Sequence, residues 1–192
     1  EIRNVGDAPV VLDDYALVGV HNTGAVYRRE RLPAAELAPG GYFVVCGTSG
    51  LVANCDFAIN LSVNIWRDLR TGPSINAIAL VEAPTDDTND DLLIDTISYV
   101  GNVPGGPPTG GTWTEGTGVR AADLNTSFYL RVGLSRVPDG GDTQNNDVDF
   151  KRRCITPGSE NSAALGSCPV VQPIPSLVVN EVDYTQPGTT AT

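Results

Sequence analysis

An all-β fold is what this chain predicts, and three observations carry that reading. Glycine and proline, 21 and 14 of 192 residues, punctuate the chain too densely for a helical bundle. Apolar and β-branched runs of strand length recur between turn signals, the spacing of a sandwich or barrel. No window carries a convincing amphipathic-helix repeat; the best, residues 32–37, is very short. With 41% hydrophobic residues the chain can bury a core, which excludes wholesale disorder.

The elements follow in order. Residues 10–12 (Val-Val-Leu) form a short strand closed by an Asp13-Asp14 turn. Residues 15–20 and 25–29 form a hairpin around His21-Asn22-Thr23-Gly24, where Asn and Gly supply turn conformations. Ala38-Pro39-Gly40-Gly41 leads into an apolar strand at residues 42–46. Further strands are predicted at residues 77–82, 92–100 and 128–135. In residues 92–100, Leu92, Ile94, Thr96 and Ser98 share one face and Leu93, Asp95, Ile97 and Tyr99 the other, so alternation leaves the inward face undecided. Two long loops remain, the acidic 85–91 and the Gly/Pro/Thr-rich 101–118. No internal repeat is present.

Charge and cysteine usage restrict the function. A net charge of -11, with Lys151 the one lysine, makes nucleic acid an unsuitable partner, because phosphate contacts need a basic surface. No apolar run approaches the roughly 20 residues of a membrane span, so no membrane insertion is expected. The absence of methionine from a chain starting at Glu1 implies that something upstream was removed or that the sequence was cut from a longer protein. Cys46, Cys55, Cys154 and Cys168 are spaced by nine and fourteen residues, not the two to four of zinc knuckles, so no metal site is expected there. Two disulfides in an oxidising, extracellular compartment is the better reading, with Cys46–Cys55 and Cys154–Cys168 the simplest of three connectivities. Each would contribute about 2–3 kcal/mol by loop closure.

Three segments follow from composition: a β-domain over 1–160, an extended proline-containing linker over 161–175, and a tail over 176–192. The tail holds Leu177, Val178, Val179, Asn180, Glu181, Val182, Asp183 and Tyr184, an isolated strand that must pair with a sheet elsewhere.

Several blocks together resemble the bacterial lamin-tail-like domain family. They are Glu1-Ile-Arg-Asn-Val-Gly-Asp-Ala-Pro-Val10 with Leu12 and Tyr15–Leu17, then Leu37-Ala-Pro-Gly-Gly-Tyr-Phe-Val-Val-Cys46, and Asp95-Thr-Ile-Ser-Tyr99. Leu134-Ser-Arg136, Asp139-Gly140, Asp142-Thr143, Asn145-Asn146, Asp149-Phe150 and Thr156-Pro157-Gly158 continue the likeness, in order, over about residues 1–160. The resemblance implies an immunoglobulin-like β-sandwich, an accessory module of secreted or surface proteins without catalytic residues of its own. One departure stands out. In that family the domain opens with a strand similar to residues 178–184, followed by the segment found here at Glu1, whereas this chain carries that strand at its far end. The tail is then expected to fold back as a circular permutation, to enter the next copy, or to mark one period of a tandem array. A body of about 160 residues is roughly 40 Å across, and the tether 169–175 spans about 20 Å in extended form. A strand supplied by a neighbour is a heterologous contact that need not close, so repetition makes a filament.

Other chemistry is weakly supported. Any Ser–His–Asp unit must use His21, which lies in a hairpin turn. Trp66 and Trp113 read as core or loop anchors rather than a sugar platform. Residues 139–149 and 86–91 gather oxygen ligands of the calcium type, but neither follows the EF-hand pattern, and Asp, Asn and Gly also fill turns for conformational reasons. Asn60 and Asn125 stand in glycosylation triplets. The expectation is therefore a non-enzymatic, extracellular structural subunit without cofactor, whose partner is itself in a head-to-tail homopolymer. The alternative is a binding or anchoring module within a larger secreted protein.

Overall fold

Val, Leu and Ala alternate through residues 15–21 and 76–82, and two such runs hydrogen-bond most readily side by side. In the computed structural model they form the centre of a four-stranded antiparallel sheet. The structure describes residues 1–47, 52, 54–59, 76–120, 132–161 and 168. Along the chain the strands are β1 (Ile2–Arg3), β2 (Val10–Val11), β3 (Tyr15–His21), β4 (Val26–Arg31), β5 (Glu36–Leu37) and β6 (Tyr42–Phe43). They continue as β7 (Val45–Cys46), β8 (Phe57–Ala58), β9 (Asn76–Glu82), β10 (Leu92–Tyr99), β11 (Val132–Arg136) and β12 (Phe150–Cys154). A single helical turn, α1 (Asn146–Asp149), precedes β12. The all-β expectation therefore holds.

The main sheet has the order β10-β9-β3-β4, and four two-stranded pairs accompany it: β1-β6, β2-β5, β7-β8 and β11-β12. All pairings are antiparallel except β7-β8. The predicted hairpin is β3–β4: Gly24 N–H donates to the His21 carbonyl (2.8 Å), and Gly24 takes φ +85°, which a side chain would resist. Three sequence expectations shift at their edges. The run 42–46 divides into β6 and β7 at Val44, whose N–H donates to the Asp56 carboxylate. Of the strand expected at 128–135, residues 132–135 fall in β11, which extends to Arg136, and 128–131 lie outside the described residues. Residues 32–37, the best helical window, instead contribute β5, paired with β2.

Strand β10 explains its own imperfect alternation. Leu93 pairs with Val81 and Asp95 with Leu80, so Ile94 is an extra residue in a β-bulge. The bulge resets the period: Leu93 and Thr96 share one face, Asp95 and Ile97 the other. On the first face Ala16, Val18, Val20, Ala77, Ala79 and Val81 form a closed core with Val103 and Trp113 from loop 101–118. Small side chains allow that loop to lie close. Trp113 locks it, its indole N–H donating to the Gly24 carbonyl at 3.1 Å. On the second face Leu17 and Leu80 pack toward Leu12, Leu37 and Phe43, while Ile78 and Ile97 pack toward Tyr99, Val119, Leu134 and Phe150.

Candidate functional site

Between this second face and the layer that holds β1 and β11–β12 lies an open groove of about 580 Å³. Leu17, Ile78, Leu80 and Ile97 form its floor, and Leu134 and Phe150 stand opposite. These large aliphatic residues are only half-buried. At the mouth Val5, Ile94 and Ile155 are 70%, 45% and 48% exposed, an apolar rim around an apolar floor. Strands β1 and β11 flank it, and each pairs with a single neighbour among the described residues.

The edges of the main sheet are treated differently. Strand β4 carries Arg28, Arg29, Glu30 and Arg31, charges that discourage edge pairing. Arg29 holds Asp91 through two hydrogen bonds of 3.2 and 2.9 Å. The outer edge of β10 is capped by one side chain. Fully buried Asn146 accepts from Ser98 N–H (2.9 Å) and donates to the Thr96 carbonyl (2.8 Å), standing in for a neighbouring strand. Val119 continues the cap, donating to the Ser98 carbonyl and accepting from Val100 N–H.

One end of the groove is strongly charged. Arg136, at the end of β11, faces Asp95 (2.5 Å), Asp149 (3.3 Å), Asp142 (3.4 Å) and Glu115 (3.7 Å), and lies over the Phe150 ring. Four carboxylates thus surround one guanidinium. Burial, reinforced by repulsion from Asp95 and Asp142, pushes the Glu115 carboxyl up to about 7 despite Arg136. Burial also raises Asp95, with Arg136 opposing it. For Asp149 burial acts against the charge, but hydrogen bonds from the Thr143 N–H and hydroxyl, Asn145 N–H and Arg136 outweigh it, leaving its carboxyl below the usual range. Beyond this cluster Asp139 pairs with Arg3 (2.8 Å) and accepts from the Tyr42 hydroxyl (2.6 Å). The opposite end, past Cys154, is lined by Ile155, Thr156 and Pro157, and there Glu1 accepts from Gly158 N–H (2.6 Å).

Carboxylate oxygens of Glu115, Asp142 and Asp149 lie within 4.8 Å of one another, a spacing that suits a cation. Arg136 already places a cation among them, and Asp142 and Asp149 accept from backbone N–H groups of the same loop. Residues 139–149 are thus built as an arginine-centred turn. The run 86–91 is likewise a turn, with Asp87 accepting from Asn89 N–H at 2.9 Å.

The other sequence-predicted residues fall as follows. Cys46–Cys55 and Cys154–Cys168 are both disulfide-bonded, the simplest connectivity, as an oxidising environment permits. His21 sits at the hairpin turn against the Tyr27 ring, 4.3 Å between centroids. Trp113 is a core anchor. Trp66, Asn60, Asn125 and the strand residues Leu177, Val178, Val179, Asn180, Glu181, Val182 and Tyr184 lie outside the described residues. No helix among the described residues is long and apolar enough to cross a membrane. The groove and the roles of Asn146 as edge cap and Arg136 as charge centre escaped the sequence reading; the apolar residues on both sides of the Ile94 bulge were the available signal for the groove. Comparison of the chain with models of protein families, with curated proteins and with solved structures finds no match.

Proposed function

We propose that this protein is a non-enzymatic structural subunit of an extracellular filament, an immunoglobulin-like β-sandwich of the lamin-tail-like type completed head to tail by strand donation. The carrying observation is the groove. Half-buried Leu17, Ile78, Leu80 and Ile97 line its floor, and β1 and β11 offer backbone at its sides. Such a slot suits an extended apolar segment, which adds a hydrogen-bond ladder while covering the floor. The tail sequence offers that segment: Leu177, Val178, Val179, Asn180, Glu181, Val182 and Tyr184, which follow Cys168, itself bonded to Cys154. The charged β4 edge and the capped β10 edge support the same reading, because neither edge of the main sheet invites an added strand.

Negative-stain electron microscopy of the native protein, without denaturant, tests it. Thin filaments with an axial repeat near one domain length are expected, and a denaturing gel should reduce them to separate chains that each carry one such domain. Discrete compact particles would overturn the filament. Filaments of much larger covalent mass would favour a tandem-repeat protein, and with it the module reading.

A further inference from the structure

We infer that the strand entering the groove runs antiparallel to both β1 and β11, with Leu177 at the Arg136 end and Tyr184 at the Cys154 end, a direction that calls for a neighbour's strand. The inference rests on the strand-donation reading above and adds direction and source to it.

Two independent features set the direction. The first is the course of the flanking strands. Strand β11 starts at Val132, opposite Cys154, and ends at Arg136. Strand β1 runs the same way, from Glu1, bonded to Gly158, to Arg3, paired with Asp139. A strand laid between them pairs antiparallel with both only if it runs from the Arg136 end toward the Cys154 end, and antiparallel ladders are the stronger. The second feature is charge. The tail strand is apolar at its start, Leu177-Val178-Val179, and acidic later, at Glu181 and Asp183. The Arg136 end already holds Asp95, Glu115, Asp142 and Asp149 against one guanidinium. The other end is lined by Ile155, Thr156 and Pro157, and its Glu1 carboxylate accepts from Gly158 N–H. Like charges within such a slot repel, so the acidic half belongs at the Cys154 end.

The disulfide then separates the two sources of the strand. Cys168 is fixed to Cys154, so the tether leaves from the Cys154 end. Laid directly into its own groove, the tail would run away from that end, parallel to β1 and β11, with Glu181 and Asp183 among the carboxylates. To enter correctly it would have to cross the groove's full length and reverse. Its tether holds Pro169, Pro173 and Pro175 and prefers extended backbone. A neighbouring copy meets no such constraint.

Photo-crosslinking of full-length chains tests direction and source together. p-Benzoylphenylalanine is placed at position 177 or 184, and filaments are assembled from mixed isotopically light and heavy chains. The expected products join position 177 to residues 139–142 and position 184 to residues 155–158, in pairs that combine light and heavy chains. The reverse pattern between chains would overturn the direction and leave donation standing. Cross-links confined to one isotope would overturn donation itself. Cross-links elsewhere would overturn the groove as acceptor. Where a probe within the strand blocks assembly, positions 176 and 186, just outside it, give the same readout.

Discussion

On one face of the β10-β9-β3-β4 sheet Ala16, Val18, Val20, Ala77, Ala79 and Val81 are at most 1% exposed, beneath a cover that the same chain supplies. On the other face the side chains are larger, Leu17, Ile78, Leu80 and Ile97, yet only half-buried. A chain optimised to stand alone would reverse this, because each incompletely buried Leu or Ile forgoes up to about 1 kcal/mol of transfer free energy. Four such residues in one groove leave a few kcal/mol to be gained by whatever covers them. The closed face is therefore where the described body is stabilised, and the open face is where further burial would add stability.

Paired substitutions break or confirm that difference most sharply. Trp113→Ala removes a buried indole, its bond to Gly24 and the cover over six small residues, and should cost about 3–5 kcal/mol in urea unfolding of the isolated subunit. Ile97→Ala on the open face should cost the isolated subunit about 1 kcal/mol, because its side chain is incompletely covered. In the proposed filament the gap between the two substitutions should narrow, with Ile97→Ala measurably lowering resistance to dissociation. Equal costs in the isolated subunit would show that the groove is already filled.

A second break acts on the capped edge. Asn146→Ala strips partners from Ser98 N–H, the Thr96 carbonyl and Glu115, all buried, for about 2–4 kcal/mol. It also opens β10 for pairing, so the soluble variant should shift toward irregular aggregates by size-exclusion chromatography. A variant that loses stability but stays monodisperse would mean that Val119 guards this edge alone.

How far these regions were legible from residues alone follows the range of the interactions. Strands β3, β4, β9 and β10 announce themselves through local alternation and turn residues, as does the His21 turn. Both disulfides join near neighbours in sequence, so the simplest pairing held. The Ile94 bulge did not declare itself, because one inserted residue turns a period-two pattern into apparent noise. Asn146 was hidden for a different reason. It caps backbone 48 and 50 residues away, and nothing local distinguishes it from the turn-forming Asn and Asp around it. Arg136 likewise gathers carboxylates from β10, from loop 101–118 and from its own turn. The groove is hardest of all to read, since it is formed by what the described body leaves uncovered.

The smallest expected effect sharpens the charged end of the open face. Glu115 titrates near 7 in the folded subunit and near 4.5 when unfolded, so between these values the folded state binds more protons. Its contribution to stability is therefore fully present below about pH 4.5 and is lost as pH rises through 7. Over that window the loss should be on the order of 2 kcal/mol, less than the full shift because the neighbouring Asp95, also raised by burial, shares the titration with it. Asp149, held below its usual range, works oppositely, and its contribution is lost only on acidification below the ordinary aspartate range. Thermal unfolding followed from pH 4 to 8 should thus show declining stability toward neutrality, and Glu115→Gln, which keeps an acceptor for Asn146, should flatten the slope. A slope unchanged by that substitution would assign the proton to Asp95 instead, the other carboxyl raised by burial, and would place the titrating group on the groove wall itself.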